Sequence, residues 1–160
     1  MKKYFIILFA LLSFISVIGQ PDVNSSVKAT HNYVSLKKFN GDTLAYVQHN
    51  FIDNKEKYIG KELNILLSDC EISIKSFLPG VSHLNKDISP NVNLEFYSRG
   101  QASSRFNTPL EPVDIIIEWS QPLPFDSVFE LWGKNKGEWT DTERKYFGKQ
   151  KIGDILTTRW

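Results

Sequence analysis

LNILLSDCEISIKSF, residues Leu63–Phe77, changes its hydrophobic period partway along. Up to Cys70, the apolar side chains Leu63, Leu66 and Leu67, with Ile59 just upstream, fall on one side of a 3.6-residue repeat, which predicts a short helix over Lys61–Ser68. After Cys70 the repeat becomes two: Ile72 and Ile74 alternate with Ser73 and Lys75, the pattern of a strand with one wet face. Helix-forming sequence thus gives way to strand-forming sequence at a single cysteine. One cysteine cannot form a disulfide within the chain, so Cys70 is expected as a buried apolar residue.

Upstream, GDTLAYVQHNFID places Leu44, Val47, Phe51 and Ile52 on one helical face, with Asp42 or Thr43 able to cap, so a helix is expected from about Thr43 to Asp53. Helices this short are marginal alone in water and need a larger apolar surface to lie on. Downstream, Val92, Leu94 and Phe96 alternate with Asn93, Glu95 and Tyr97, and VDIIIEWS is apolar enough for a central strand that QPLP should end. FDSVFELWGKN suits a short helix capped by Ser127 with Glu130, although its alternation also suits a strand. Thr140 followed by Glu143 predicts a capping box, Gly148 a helix end, and DILTTRW a closing strand.

Helices first and strands after them imply an α+β fold: two N-terminal helices packed on a mainly antiparallel sheet of about four strands, with one or two short helices before the last strand. The expected organisation is a cleaved secretory signal over 1–19, a mobile or loosely docked polar arm over 20–40 and a single globular domain over 41–160. The signal is read from Lys2 and Lys3, an apolar core from Tyr4 to Ile18, and small residues Val17 and Gly19 before the expected cut. That core has 15 residues, whereas spanning a bilayer takes roughly 17 to 25. A lipoprotein would carry cysteine where Gln20 stands. The expected location is therefore periplasmic or secreted, with no lipid anchor and no stable membrane span after cleavage.

Without the leader the chain has 17 basic and 18 acidic residues, a formal charge of −1, which argues against nucleic acid as a partner. No cofactor is implied. His49 and Asp53 have the spacing of two metal ligands on a helix, but they lie opposite the apolar face and lack further ligands. SLKK at Ser35–Lys38 matches Ser-x-x-Lys outside any helix-borne context, and GKNKG at Gly133–Gly137 lacks the spacing of a phosphate loop. Basic residues from Lys134 to Lys151, Arg144 among them, give a local excess of the kind a solvated face carries.

Two features point to recognition. The connection SRGQASSRFNTPLEP, Ser98–Pro112, is much longer than a hairpin turn, so Arg99, Arg105 and Phe106 are candidate contact residues. All four tryptophans lie in the last third, and Trp132 and Trp139, flanked by glycine and lysine, are the ones expected nearest the surface. These features suggest a non-catalytic binding domain, inhibitor-like or immunity-like, with a protein or glycan partner in the cell envelope. The alternatives are an envelope or extracellular hydrolase using His49, His83, Asp87 or Glu95, and a carbohydrate-binding module using exposed tryptophans.

Overall fold

A computed structural model of the chain describes residues 33–98, 101 and 113–157. The leader over 1–19, most of the polar arm, and Arg99, Arg105 and Phe106 lie outside them. The described residues form an α+β fold. Four strands, β1 (Ser76–Pro79), β2 (Ile88–Glu95), β3 (Asp114–Pro124) and β4 (Ile152–Leu156), make one antiparallel sheet in the order β1-β2-β3-β4. The helices are α1 (Thr43–Val47), α2 (Leu63–Asp69), α3 (Phe125–Lys134) and α4 (Asp141–Phe147), the last two between β3 and β4.

Strand register explains why one sheet face is dry. Phe77 sits opposite Leu94, Leu94 opposite Ile115, and Ile117 opposite both Val92 and Ile155, and all of these are buried. They share one core cluster with Tyr46, Val47, Phe51, Leu63, Leu66 and Leu67. Each fully buried side chain of this size stabilises the fold by roughly 1.5–3 kcal/mol, which is what lets helices of five to seven residues persist. The alternate positions, Glu95 opposite Asp114 and Glu118 opposite Asp154, carry the polar side of the sheet.

The structure departs from the sequence patterns at four places. The first helix is α-helical only to Val47 and then widens into a π turn over Gln48–Ile52, where the Asp53 N–H donates to the Gln48 carbonyl at 2.8 Å. Strand β3 runs through QPLP to Pro124. It can, because Asn91 faces Glu118 and Ser89 faces Leu123, so Pro122 falls in the irregular stretch between and its missing N–H interrupts no ladder bond. FDSVFELWGKN is helical, but it starts at Phe125 behind Pro124, and Ser127 caps nothing. Finally, β1 begins at Ser76, four residues after the Ile72–Ile74 alternation starts.

The outer edge of β1 is closed by the turn that follows α3. Lys136 and Gly137 take positive φ, and the Gly137 carbonyl accepts from the Phe77 N–H at 2.8 Å. An antiparallel bridge between Ser76 and Glu138 continues this closure. The GKNKG stretch is therefore an edge cover, which removes a template for strand pairing.

Candidate binding niche

Helix α2 stops at Cys70, which adopts an extended conformation (φ −79°, ψ 110°), and the chain then reaches β1 through a bend at Ile72. Sheet pairing starts only at Lys75, whose N–H donates to the Glu95 carbonyl at 2.8 Å and whose carbonyl accepts from the Trp139 N–H at 3.0 Å. Before that, the backbone N–H groups of Ile72, Ser73 and Ile74 find no acceptor among the described residues. The carbonyls of Ser73 and Ile74 likewise find no donor, and that of Ile72 accepts only the Cys70 thiol, at 3.3 Å. Ile72 and Ile74 are half-buried and Ser73 is exposed, so the alternation of a strand is kept where strand hydrogen bonds are not.

This segment lines a cavity of about 170 Å³ together with Glu71, Trp139 and Arg144. The start of α4 positions the last two. The Glu143 carboxylate, fully buried, accepts from the Thr140 N–H at 2.9 Å and from the Asn135 side-chain amide at 2.6 Å, and Thr142 N–H donates to the Thr140 hydroxyl. The capping box read in the sequence is present. Burial alone would raise the Glu143 pKa, but the hydrogen bonds from Thr140 and Asn135 outweigh it and hold the carboxyl below its usual range. Its stabilising contribution is complete above the ordinary glutamate pKa of about 4.3 and is lost as the pH falls through the lower folded-state value.

Trp139, just before the cap, is half-buried and stacks on Phe147 at 5.7 Å and 15°. Arg144, just after Glu143, is exposed, and among the described residues its side chain makes no hydrogen bond or ion pair. The lining's only other charge, Glu71, is committed elsewhere. Its Oε1 accepts from the Tyr33 hydroxyl at 2.8 Å and its Oε2 from the Leu36 N–H at 3.1 Å. Burial pushes the Cys70 thiol up to about 11, with its hydrogen bond to Ile72 opposing, so it is a neutral thiol at pH 7 and not a nucleophile.

Glu71 is half of a clamp on the incoming chain. The other half is Asn50, fully buried on the π turn: its side-chain oxygen accepts from the Val34 N–H at 2.9 Å, and its amide donates to the carbonyls of Val34 at 2.9 Å and Tyr46 at 3.2 Å. The described part of the polar arm is thus fastened to the domain. Ser35 caps a short 3-10 turn over Leu36–Phe39, accepting from the Lys37 N–H, which accounts for the Ser-x-x-Lys match without chemistry.

Of the contact residues expected from sequence, Trp139 lies in the niche. Trp132 belongs to another stack, on Phe129 at 5.5 Å, and both indoles are half-buried. The hydrolase candidates fall on separate elements. His49 packs on the Phe39 ring, His83 and Asp87 are exposed in the β1–β2 loop, and Glu95 at the end of β2 accepts from the Ser76 hydroxyl. Among the described residues no group of three His, Cys, Asp or Glu could hold a metal ion, and no helix is long and apolar enough to cross a membrane. In the sequence Arg144 reads as one surface base among several and Ile72–Ile74 as a strand, because what packs beside a capped helix and where a ladder ends depend on residues distant in the chain. The chain matches no protein-family model, and comparison with curated proteins and with solved structures gives no match.

Proposed function

We propose that the chain is a non-catalytic binding domain, exported and freed of its leader over 1–19, which holds a protein partner of the cell envelope in the niche beside Ile72–Ile74 as an inhibitor or immunity-type protein would. The two N-terminal helices, laid over the sheet, and the capped start of α4 serve as a rigid frame for it. The observation that carries this reading is the coincidence, in one cavity, of the Ile72–Ile74 backbone N–H groups and the Arg144 guanidinium, none of which has a hydrogen-bond or ion-pair partner among the described residues. Such groups are satisfied by water in the free chain and gain directional bonds when a partner displaces it. A protein partner suits them better than a glycan, since alternating N–H and C=O groups are complementary to another main chain.

Photo-cross-linking tests it. A photoreactive phenylalanine placed at Ser73 is expected to give a covalent adduct with an envelope protein, and Arg144→Gln in the same chain is expected to cut its yield roughly tenfold, the equivalent of about 1.4 kcal/mol in binding. The same group at Glu130, exposed on α3, should give none. Adducts from Glu130 with none from Ser73 would place the contact surface elsewhere.

A further inference from the structure

We infer that the niche also takes a small zwitterion, an apolar α-amino acid or a short peptide, with its carboxylate on Arg144, its ammonium on Glu71 and its side chain against Trp139. The inference goes beyond the protein-binding role proposed above and does not depend on it, because one small molecule answers both charges. Three observations converge on it. The first is charge of both signs in one lining. The donors to Glu71 are the Tyr33 hydroxyl at 2.8 Å, the Leu36 N–H at 3.1 Å and the Ser35 hydroxyl at 3.4 Å, all neutral, so none of them cancels its charge. Arg144 has no ion pair among the described residues, and the two do not pair with each other. Burial dominates the Cys70 thiol, yet Glu71 also raises its pKa while Arg144 lowers it, so both charges lie within electrostatic reach of the same sulfur.

Opposite charges that share a cavity without touching are bridged by a ligand that carries both signs. An arginine fork takes a carboxylate through two parallel hydrogen bonds, and a carboxylate holding three neutral donors still has acceptor capacity for an ammonium. A ligand with one charge would gain one of these contacts and meet repulsion from the other side. The second observation is size: a cavity of about 170 Å³ is small beside the roughly 300–1,000 Å³ of sites for drug-sized ligands, and suits a molecule on the scale of an amino acid. The third is the apolar wall. Leu67 is buried, Ile72 and Ile74 are half-buried, and Trp139 is held by its stack on Phe147, so a ligand side chain has apolar surface to cover.

The test is titration of the purified ¹⁵N-labelled chain with L-alanine, L-leucine and glycyl-leucine, and with the two singly charged counterparts of leucine, isocaproate, which lacks the ammonium, and isoamylamine, which lacks the carboxylate. Leucine is expected to bind with a Kd of about 1 mM or tighter and to shift the amide signals of residues 72–74 and the Trp139 indole N–H. Isocaproate and isoamylamine should each bind at least about tenfold more weakly. Arg144→Gln should erase the advantage of leucine over isoamylamine. Glu71→Gln, which keeps an oxygen for Tyr33 or Leu36 but no charge, should erase its advantage over isocaproate. Tighter binding of glycyl-leucine than of leucine would assign the same two-charge recognition to a short peptide. Equal affinity of leucine and its singly charged counterparts, shifts confined to other surfaces, or no shift with any of the three zwitterions would overturn the inference. Should the zwitterions fail while the Ser73 cross-link still forms, the proposed function stands and only the small ligand is wrong; leucine binding without any cross-link gives the reverse.

Discussion

Phe147→Ala is expected to lower the free energy of unfolding by roughly 3–5 kcal/mol, the range for deleting a large aromatic from a tightly packed site. Phe147 is fully buried at the end of α4 and has four ring neighbours. Trp119 stacks on it at 5.8 Å and 4°, Trp139 at 5.7 Å and 15°, while Phe77 and Tyr146 meet it edge-on at 5.4 and 5.0 Å. Removing the ring empties a space walled by two indoles that cannot both close over it, so a cavity penalty adds to the lost transfer energy. Each aromatic pair contributes about 0.5–1.5 kcal/mol beyond its area. Domains of this size are commonly stable by about 5–15 kcal/mol, so the variant should still fold and be measurable by urea unfolding followed by circular dichroism. A loss below about 1 kcal/mol would mean that the stack is not packed as described. Because Trp139 leans on Phe147, the niche should also loosen, and its indole fluorescence should become more accessible to a neutral quencher.

Asn50→Ala should cost roughly 2–3 kcal/mol and release the segment around Val34. The amide makes three hydrogen bonds from a fully buried position, two of them to the N–H and C=O of the same residue. Alanine leaves the Tyr46 carbonyl short of this bond inside the core, while Val34 can return to water at the expense of its docking. Trypsin cleavage at Lys37 or Lys38, which samples the undocked state, is expected to quicken roughly 30-fold for a 2 kcal/mol loss. Asn50→Asp sharpens the test. It keeps the shape and can still accept from Val34 N–H, but it has no donor for the two carbonyls and should loosen the arm nearly as much. Unchanged cleavage in both variants would show that Glu71 alone holds the arm.

Asn50 also shows where sequence patterns stop informing. It is a polar residue within a helical pattern, yet it lies fully buried beside Phe51 on the π turn over Gln48–Ile52. Patterns with local causes were legible: the Thr140–Glu143 cap, the period-two runs through Val92–Phe96 and Ile115–Trp119, and the α+β arrangement they imply. What depended on partners distant in the chain was not. QPLP reads as a strand end until the register with Ser89 and Asn91 shows the ladder skipping Pro122. Ile72 and Ile74 read as paired until β2 is seen to pair no further than Glu95, opposite Ser76. Trp132 and Trp139, expected nearest the surface from their glycine and lysine neighbours, are half-buried by ring stacking, whereas Trp119 is buried. Arg144 resembled any other surface base until the fold placed it in the niche.

The measurement that bears most directly on the niche is amide hydrogen exchange of residues 72–77 in the free chain and in its captured complex. In the free chain, Ile72, Ser73 and Ile74 should exchange near unfolded-peptide rates, while Lys75 and Phe77, bonded to Glu95 and Gly137, are protected. Binding of the envelope partner should then slow at least one of the first three tenfold or more. Protection of Ile72–Ile74 equal to that of Phe77 in the free chain would contradict the account, since the donors assigned to a partner would already be engaged.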